Sequence, residues 1–219
     1  MMGSMAMLYK RNQIEEAISA VLEPRASEPS AELRTRVKRL LEADRALGRD
    51  PRSNDPGCAV YAFFSVEAPG SGVEVWFSGY EGFALLNGLR LMSHGWPQGF
   101  VIVVLRQVRP ELERQHVRIL KQDPKWLFDQ EAIRRAARAG DIAFDNRDPV
   151  LLTIVSKSEA VEIQPHQFAI CRGPDEATRF AWKAGKGLGA WTMFELASIA
   201  HRLTNELERT EPRHRGRSG

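Results

Sequence analysis

Cysteine and long apolar runs are both scarce in this chain of 219 residues. Its two cysteines, Cys58 and Cys171, form no CxxC pair and no Cys/His ligand spacing, which argues against a zinc site and a disulfide framework. No apolar run approaches the roughly 20 residues that cross a bilayer, and the N-terminus lacks a secretory signal pattern. We therefore expect a cytoplasmic protein with no membrane partner and no cofactor.

Sequence motifs of enzymes are also missing. The loop GKGLG (185–189) fits neither phosphate-binding glycine pattern, and no serine or cysteine lies in a GxSxG elbow. Asp141, Asp145 and Asp148 are close in sequence, and clustered carboxylates can bind divalent cations, but their spacing does not fit an EF-hand. We predict that the protein is not an enzyme. An enzyme that depends on these three carboxylates remains an alternative, ranked below the two binding functions described at the end of this section.

The positive charge is unevenly placed along the chain. The formal net charge is +3, and residues 209–219 carry four arginines against one glutamate, so residues 1–208 sum to zero. This composition predicts a disordered basic tail over 209–219. Nucleic-acid binding by the body must therefore depend on how its charges are distributed rather than on an excess.

Two amphipathic helices are predicted in the N-terminal part. The first begins after Asn12 and ends at Pro24, and the second is capped by Ser30 and continues to about Leu47. Asp44 falls within the apolar arc of the second helix, so it needs a partner or an exposed helix end.

Alternating residues then predict a β-hairpin, with strands over 59–67 and 73–78 joined by a glycine-containing turn. A third helix is expected from Glu81 to about His94, where Gly95 can end it.

The segment FVIVVLRQV (100–108) is rich in β-branched residues, which favours a strand. However, Val101, Val104, Leu105 and Val108 have helical spacing, and Pro97 suits a first helical turn. We predict a helix and keep a central β-strand as the alternative.

A small α+β part is expected over residues 114–208. Strands are predicted over 151–157 and 161–170, and helices over 124–139, 174–184 and 191–209. The fold class is therefore predicted to be α+β and mainly helical.

The segment from Val73 to Leu105 resembles the wing and following helix pair of MerR-type winged-helix regulators. Phe77, Ser78 and Glu81 stand where that family has an aromatic residue, a polar step and an acidic residue that opens the next helix. Gly95 and Trp96 match the pair that separates two helices in the family. The resemblance implies a winged helix-turn-helix domain over 8–113 that binds double-stranded DNA.

In that family, the helix that reads DNA precedes the hairpin. The corresponding helix of this chain is the predicted helix over 30–47. We therefore expect sequence-specific DNA binding, by a transcriptional regulator or a mobile-element accessory factor. An ordinary solvated helix face is the alternative for these residues, and a protein-interaction module is the alternative for the whole protein. The predicted DNA contacts are Arg34, Arg36, Lys38, Arg39 and Arg45.

The predicted last helix has an apolar face that must be covered by the chain itself or by a second copy. Because a regulator that reads two half-sites generally needs a two-fold partner, we predict a homodimer, with 114–208 as its dimerisation or sensor region. The predicted interface residues are Trp191, Leu196, Ile199, Leu203 and Leu207.

Overall fold

The computed structural model describes residues 7–66, 74–138, 144–156, 166–186 and 189–212. The structure is mixed α+β, with more helix than strand, as predicted. The elements, in chain order, are β1 (Leu8–Lys10), α1 (Arg11–Leu22), α2 (Ala31–Ala46), α3 (Pro56–Ala59), β2 (Trp76–Ser78), α4 (Gly79–Ser93), α5 (Gln98–Leu120), α6 (Pro124–Leu127), α7 (Gln130–Ala136), β3 (Val150–Ser156), β4 (Gln167–Arg172), α8 (Gly173–Gly185), β5 (Ala190–Glu195) and α9 (Ala197–Arg209).

The chain divides into two compact units, whose boundaries fall within α5 and α9. Unit 1 spans Met1–Pro110 and Arg202–Gly219, and unit 2 spans Glu111–His201. Among the described residues, no helix is both long and apolar enough to cross a membrane.

In unit 1, the strands β1 and β2 form an antiparallel pair, and each leads directly into a helix. The Ser78 hydroxyl accepts a hydrogen bond from the backbone N–H of Glu81, while the Glu81 carboxylate accepts one from the N–H of Ser78. This reciprocal cap satisfies two backbone donors at the start of α4 and fixes the direction in which that helix leaves the strand.

The helix α4 is the centre of unit 1, because α1 and α2 both pack against it. A Cβ built on Gly82 would lie 2.8 Å from the Cδ1 atom of Ile14 in α1, and one on Gly88 would lie 3.3 Å from the Cδ1 atom of Leu40 in α2. Glycine at these two positions therefore allows the three helices to approach closely.

Residues 100–108 are helical, so the prediction of a helix over this segment is confirmed. Val101, Val104 and Leu105 are fully buried, and Val108 is nearly so. Burial of this stripe outweighs the small helix penalty of β-branched residues, which is about a few tenths of a kcal/mol each. The helix also continues through Pro110 to Leu120.

The predicted β-hairpin is wrong. The second predicted strand is present in part as β2, but it pairs with β1, and described residues 60–66 contain no strand. Side chains bind the backbone of this segment instead. Phe63 N–H donates to the Asp44 carboxylate, and the carbonyls of Tyr61 and Phe64 accept from Arg109. These contacts satisfy three backbone groups that a partner strand could otherwise bind.

Unit 2 contains an antiparallel sheet of strand order β4-β3-β5, with α8 packed on β3 and β4. The central strand β3 is apolar at almost every position and buried from Val150 to Val155. It agrees with the strand predicted over 151–157. The strand β4 overlaps the end of the predicted 161–170 strand, whose residues 161–165 lie outside the described residues.

Two predicted helices differ from the structure. Residues 124–136 form two short helices, because Asp123 and Asp129 each cap a new helix start. The predicted helix over 191–209 is wrong in its first part, where Ala190–Glu195 is the strand β5 and α9 begins only at Ala197. Pairing of β5 with six of the seven residues of β3 outweighs the helical spacing of the apolar residues of β5. Arg209, the first residue of the predicted tail, ends α9.

Candidate functional site

The predicted DNA contacts all lie on α2. The fold positions this helix by its cap, since the Ser30 hydroxyl accepts from Leu33 N–H at 3.1 Å, and by burial of its apolar arc, including Leu33, Val37 and Leu40. Four of the five predicted side chains are exposed, and Arg36 is half-buried. The structure thus leaves Arg34, Lys38, Arg39 and Arg45 exposed to solvent, with Arg36 at the edge of the buried arc of α2.

Three of these cations have carboxylate neighbours. Arg36 lies 2.5 Å from Glu32, Lys38 lies 3.7 Å from Glu42, and Arg34 lies 4.0 Å from Glu28. The pairs are exposed, and such pairs contribute only about 0–1 kcal/mol, so a phosphate group can replace the carboxylate at little cost.

The other two cations differ in their surroundings. The guanidinium group of Arg45 lies 5.8 Å from the ring centroid of Phe64, a cation–π contact that holds it beside the 61–66 segment. The side chain of Arg39 has no ion-pair partner within the described residues.

Asp44, the third acidic residue of α2 after Glu32 and Glu42, lies in the interior and not on the exposed surface of the helix. Asp44 is fully buried, and its Oδ1 accepts from Nε of Arg106 at 2.7 Å, while its Oδ2 accepts from Phe63 N–H at 3.0 Å. This arrangement explains how an aspartate occupies the apolar arc of the helix. It also leaves five cations against Glu32 and Glu42, so the solvent-facing charge of α2 is +3 in a body whose sequence charge is zero.

Two arginines of α5, which sequence analysis did not identify as important, hold the chain beside α2. Arg106 donates to the backbone carbonyls of Asp44 at 2.5 Å and Gly48 at 2.8 Å, which fixes the C-terminal end of α2. Arg109 donates to the carbonyls of Tyr61 and Phe64 at 2.5 and 2.6 Å. Their i,i+3 spacing within an apolar stripe was the available signal, because it places two guanidinium groups at the edge of a buried face.

The predicted dimerisation residues are not brought together on one helix face. Trp191 lies on β5 and is 45% exposed, whereas Leu196 precedes α9 and is fully buried. Leu203 and Leu207 are 1% and 2% exposed within the single chain, and Ile199 is half-buried. The apolar face of α9 is therefore covered by the chain itself and supplies no free interface at these leucines.

The acidic cluster of the enzyme alternative is engaged in structural contacts. Asp141 lies outside the described residues, and Asp148 pairs with Arg118. Asp145 accepts a hydrogen bond from the Ser198 hydroxyl at 2.7 Å. In the parts of the chain that the structure describes, no group of three or more His, Cys, Asp or Glu residues is placed to hold a metal ion.

Two histidines lie in the interior of unit 2. Burial, together with the nearby His201, lowers the pKa of His116 from 6.5 to about 4. Burial also lowers the pKa of His201, whose Nε2 lies 3.1 Å from the Ile119 carbonyl oxygen and whose ring makes an edge contact with Phe128. Both rings are therefore neutral near pH 7, which suits a packing role rather than anion binding.

Comparison of the chain with protein-family models and with curated proteins returns no match.

Proposed function

We propose that the protein binds double-stranded DNA through the exposed face of α2, as a sequence-specific regulator or a mobile-element accessory factor. The single observation that carries this proposal is the net charge of +3 on the solvent-facing residues of one helix, in a body (residues 1–208) whose charges sum to zero, with the charge of Asp44 balanced in the interior by Arg106. A localised positive surface attracts a polyanion even where the whole body has no excess charge.

The dimensions of α2 suit a groove of DNA. Its 16 residues form a rod about 24 Å long, and an α-helix fits the major groove of B-DNA. Arg34, Lys38 and Arg45 lie on one side of the helix at i, i+4 and i+11, so they extend over about 16 Å of its axis. Guanidinium groups at such positions can bind guanine edges or phosphates with two hydrogen bonds each.

A protein-interaction module is the second candidate. It is favoured by the ion pairs of Arg34, Arg36 and Lys38, which show that this face already accepts carboxylates as neighbours. An acidic segment of a protein partner would replace those carboxylates as a phosphate would. The two candidates differ in salt dependence, because only DNA carries a condensed counterion atmosphere that binding releases.

A homodimer remains a prediction of the DNA-binding proposal, since two half-sites about 34 Å apart call for a two-fold partner. Its interface must lie away from Leu203 and Leu207, which are buried within one chain. Light scattering of the protein with and without a duplex tests this prediction, and a monomer in both samples would contradict it.

The main test begins with selection of duplexes from a random pool by the purified protein. Anisotropy titrations of the selected duplex then compare the wild type with the triple variant Arg34→Ala, Lys38→Ala, Arg45→Ala. Loss of three phosphate contacts should reduce the slope of log K against log salt by about 2.7, since each contact contributes about 0.9. Where a residue reads a base, its loss should cost roughly 1–3 kcal/mol on the selected site.

A charge-matched control is available in unit 2. Arg134, Arg135 and Arg138 are exposed, so their replacement by alanine removes the same three charges from a different surface. The control should bind the selected duplex like the wild type. Equal binding by the α2 variant and the wild type would exclude this helix, and binding that does not depend on salt would favour the protein partner.

A further inference from the structure

The outward face of α8, in unit 2, combines three cations with an exposed indole. Arg179, Trp182, Lys183 and Lys186 follow each other at i, i+3, i+4 and i+7, so they lie on one side of the helix and its C-terminal end. All four side chains are exposed, and Trp182 is 65% exposed. The opposite side of the helix, with Ala177, Ala181 and Ala184, packs against β3.

Among the described residues, no carboxylate forms an ion pair with these cations. Residues 177–186 contain no aspartate or glutamate, and Asp175 and Glu176 lie in the first turn of the helix. Within the described ranges, Arg179, Lys183 and Lys186 form no ion pair. This differs from α2, where three of five cations have a carboxylate partner within ion-pair distance.

A second indole projects on the same side of the sheet. Val155 of β3 packs against Ala181 and Ala184 of α8, so its side chain points toward the helix. Trp191 stands directly across from Val155 in the antiparallel pair of β3 and β5. Directly opposed residues of such a pair point to the same face, so the half-exposed Trp191 lies on the α8 side of the sheet.

Packing among the described residues of unit 2 does not account for the position of Trp182, which is 65% exposed. The alanines on the buried side of α8 already fill the contact with the sheet, and the indole of Trp182 is placed among cations instead of in the core. A large apolar ring surrounded by unpaired positive charge matches a ligand that offers both a π-surface and negative charge.

We propose that this face of α8, with Trp182 at its centre, binds a single-stranded segment of nucleic acid. Exposed bases would stack on the indole of Trp182 and, further along, on that of Trp191, while phosphates would contact Arg179, Lys183 and Lys186. A single strand fits better than a duplex, because the bases of a duplex are stacked on each other and offer no free π-face to a convex helix. The inference is independent of the duplex binding proposed for α2, since it concerns other residues in another unit.

The test uses a fluorescein-labelled strand of twelve thymidines, titrated by anisotropy with the full-length protein. Trp182→Ala should weaken binding about tenfold or more, because stacking on one aromatic ring typically contributes that much per base. Trp182→Phe keeps an aromatic face and should restore most of the affinity. Arg179→Ser with Lys183→Ser should reduce the salt slope by about 1.4, since a single strand contributes about 0.7 per phosphate.

Trp126→Ala is the matched control, because Trp126 is an exposed indole of the same unit that lies over Arg147 rather than on the α8 face. It should bind the strand like the wild type. Circular dichroism of each variant checks that unit 2 remains folded, as expected for exposed positions.

Three results would overturn the proposal. The first is no binding of the strand by the wild type at low salt, and the second is equal affinity for Trp182→Ala and Trp126→Ala. The third is equal or tighter binding of an oligoglutamate of the same charge, unaffected by Trp182→Ala, which would assign the face to an acidic polypeptide. The triple variant of α2 should bind the strand normally, so failure of either proposal is visible without the other.

Discussion

The substitution Asp44→Asn tests whether the buried pair with Arg106 organises unit 1. Asp44 is fully buried and its carboxylate accepts one hydrogen bond from Arg106 and one from Phe63 N–H. An amide of the same shape has only one oxygen, so its NH2 group must face one of these two donors. The change therefore removes a charge-assisted hydrogen bond and leaves a buried donor without an acceptor.

The expected cost is the sum of these two effects. A hydrogen bond to a charged group contributes about 1.5–3 kcal/mol, and an unsatisfied buried donor costs about 1–3 kcal/mol. Together they predict a loss of about 2.5–6 kcal/mol in the free energy of unfolding, which brackets the range of about 3–5 kcal/mol typical of a buried ion pair that loses one member. This is a large fraction of the 5–15 kcal/mol that stabilises most domains.

Urea denaturation, followed by circular dichroism and tryptophan fluorescence, measures this loss. Glu42→Gln is the matched control, because it makes the same carboxylate-to-amide change on the same helix in an exposed pair with Lys38. The control should change the free energy of unfolding by less than about 1 kcal/mol. If Asp44→Asn destabilises the protein no more than Glu42→Gln does, the buried pair with Arg106 does not organise unit 1.

Two further predictions concern other parts of the core. The pKa of His116 is about 4 in the folded protein and about 6.5 in the unfolded chain, so the unfolded chain binds the proton more tightly. The contribution of neutral His116 to the free energy of unfolding is therefore fully present above pH 6.5 and is lost as the pH falls toward 4. The free energy of unfolding should fall by about 3 kcal/mol over this pH range, and His116→Gln should lack this decrease. Urea denaturation at several pH values measures it, and identical pH profiles of the two proteins would contradict the prediction. Leu203→Glu places a charge at a position that is 1% exposed, so it should unfold unit 1 in a thermal melt, whereas Leu47→Glu, at a position that is 58% exposed, should not. If Leu203→Glu remains folded and only changes its oligomeric state in light scattering, α9 is an interface between two copies of the chain.

The start of α2 was predictable because its signals are local. Ser30 caps the helix through a hydrogen bond to a residue three positions away, and the apolar arc follows from the period of the helix alone. The same holds for residues 100–108, where the helical spacing of the valines indicated the correct structure despite their β-propensity. The exposure of the basic residues of α2 also follows from that period, since Arg34, Lys38 and Arg45 lie beside its apolar arc and Arg36 and Arg39 lie further round the helix.

The structure departs from expectation where distant residues supply the stabilising contacts. Residues 60–66 carry the composition of a strand, yet Arg109 and Asp44 satisfy their backbone groups, and these partners are 45 and 19 residues away from the positions they bind. The strand β5 carries apolar spacing that also fits a helix, and only the presence of β3 as a partner decides between the two. Local propensity is a weak determinant in such segments because tertiary pairing can outweigh it.

The α+β class, most helix starts and the placement of the basic residues outside the apolar arc of α2 could be predicted from the amino-acid sequence, because each depends on residues within a turn or two of one another. Three features could be seen only in the folded chain: the pairing of Asp44 with Arg106, 62 residues away, the burial of the α9 leucines within one chain, and the position of Trp191 on the side of the sheet that α8, with Trp182, covers. Those features arise from contacts between segments far apart in the chain, whose relative positions are set by the packing of the whole unit and leave no local pattern.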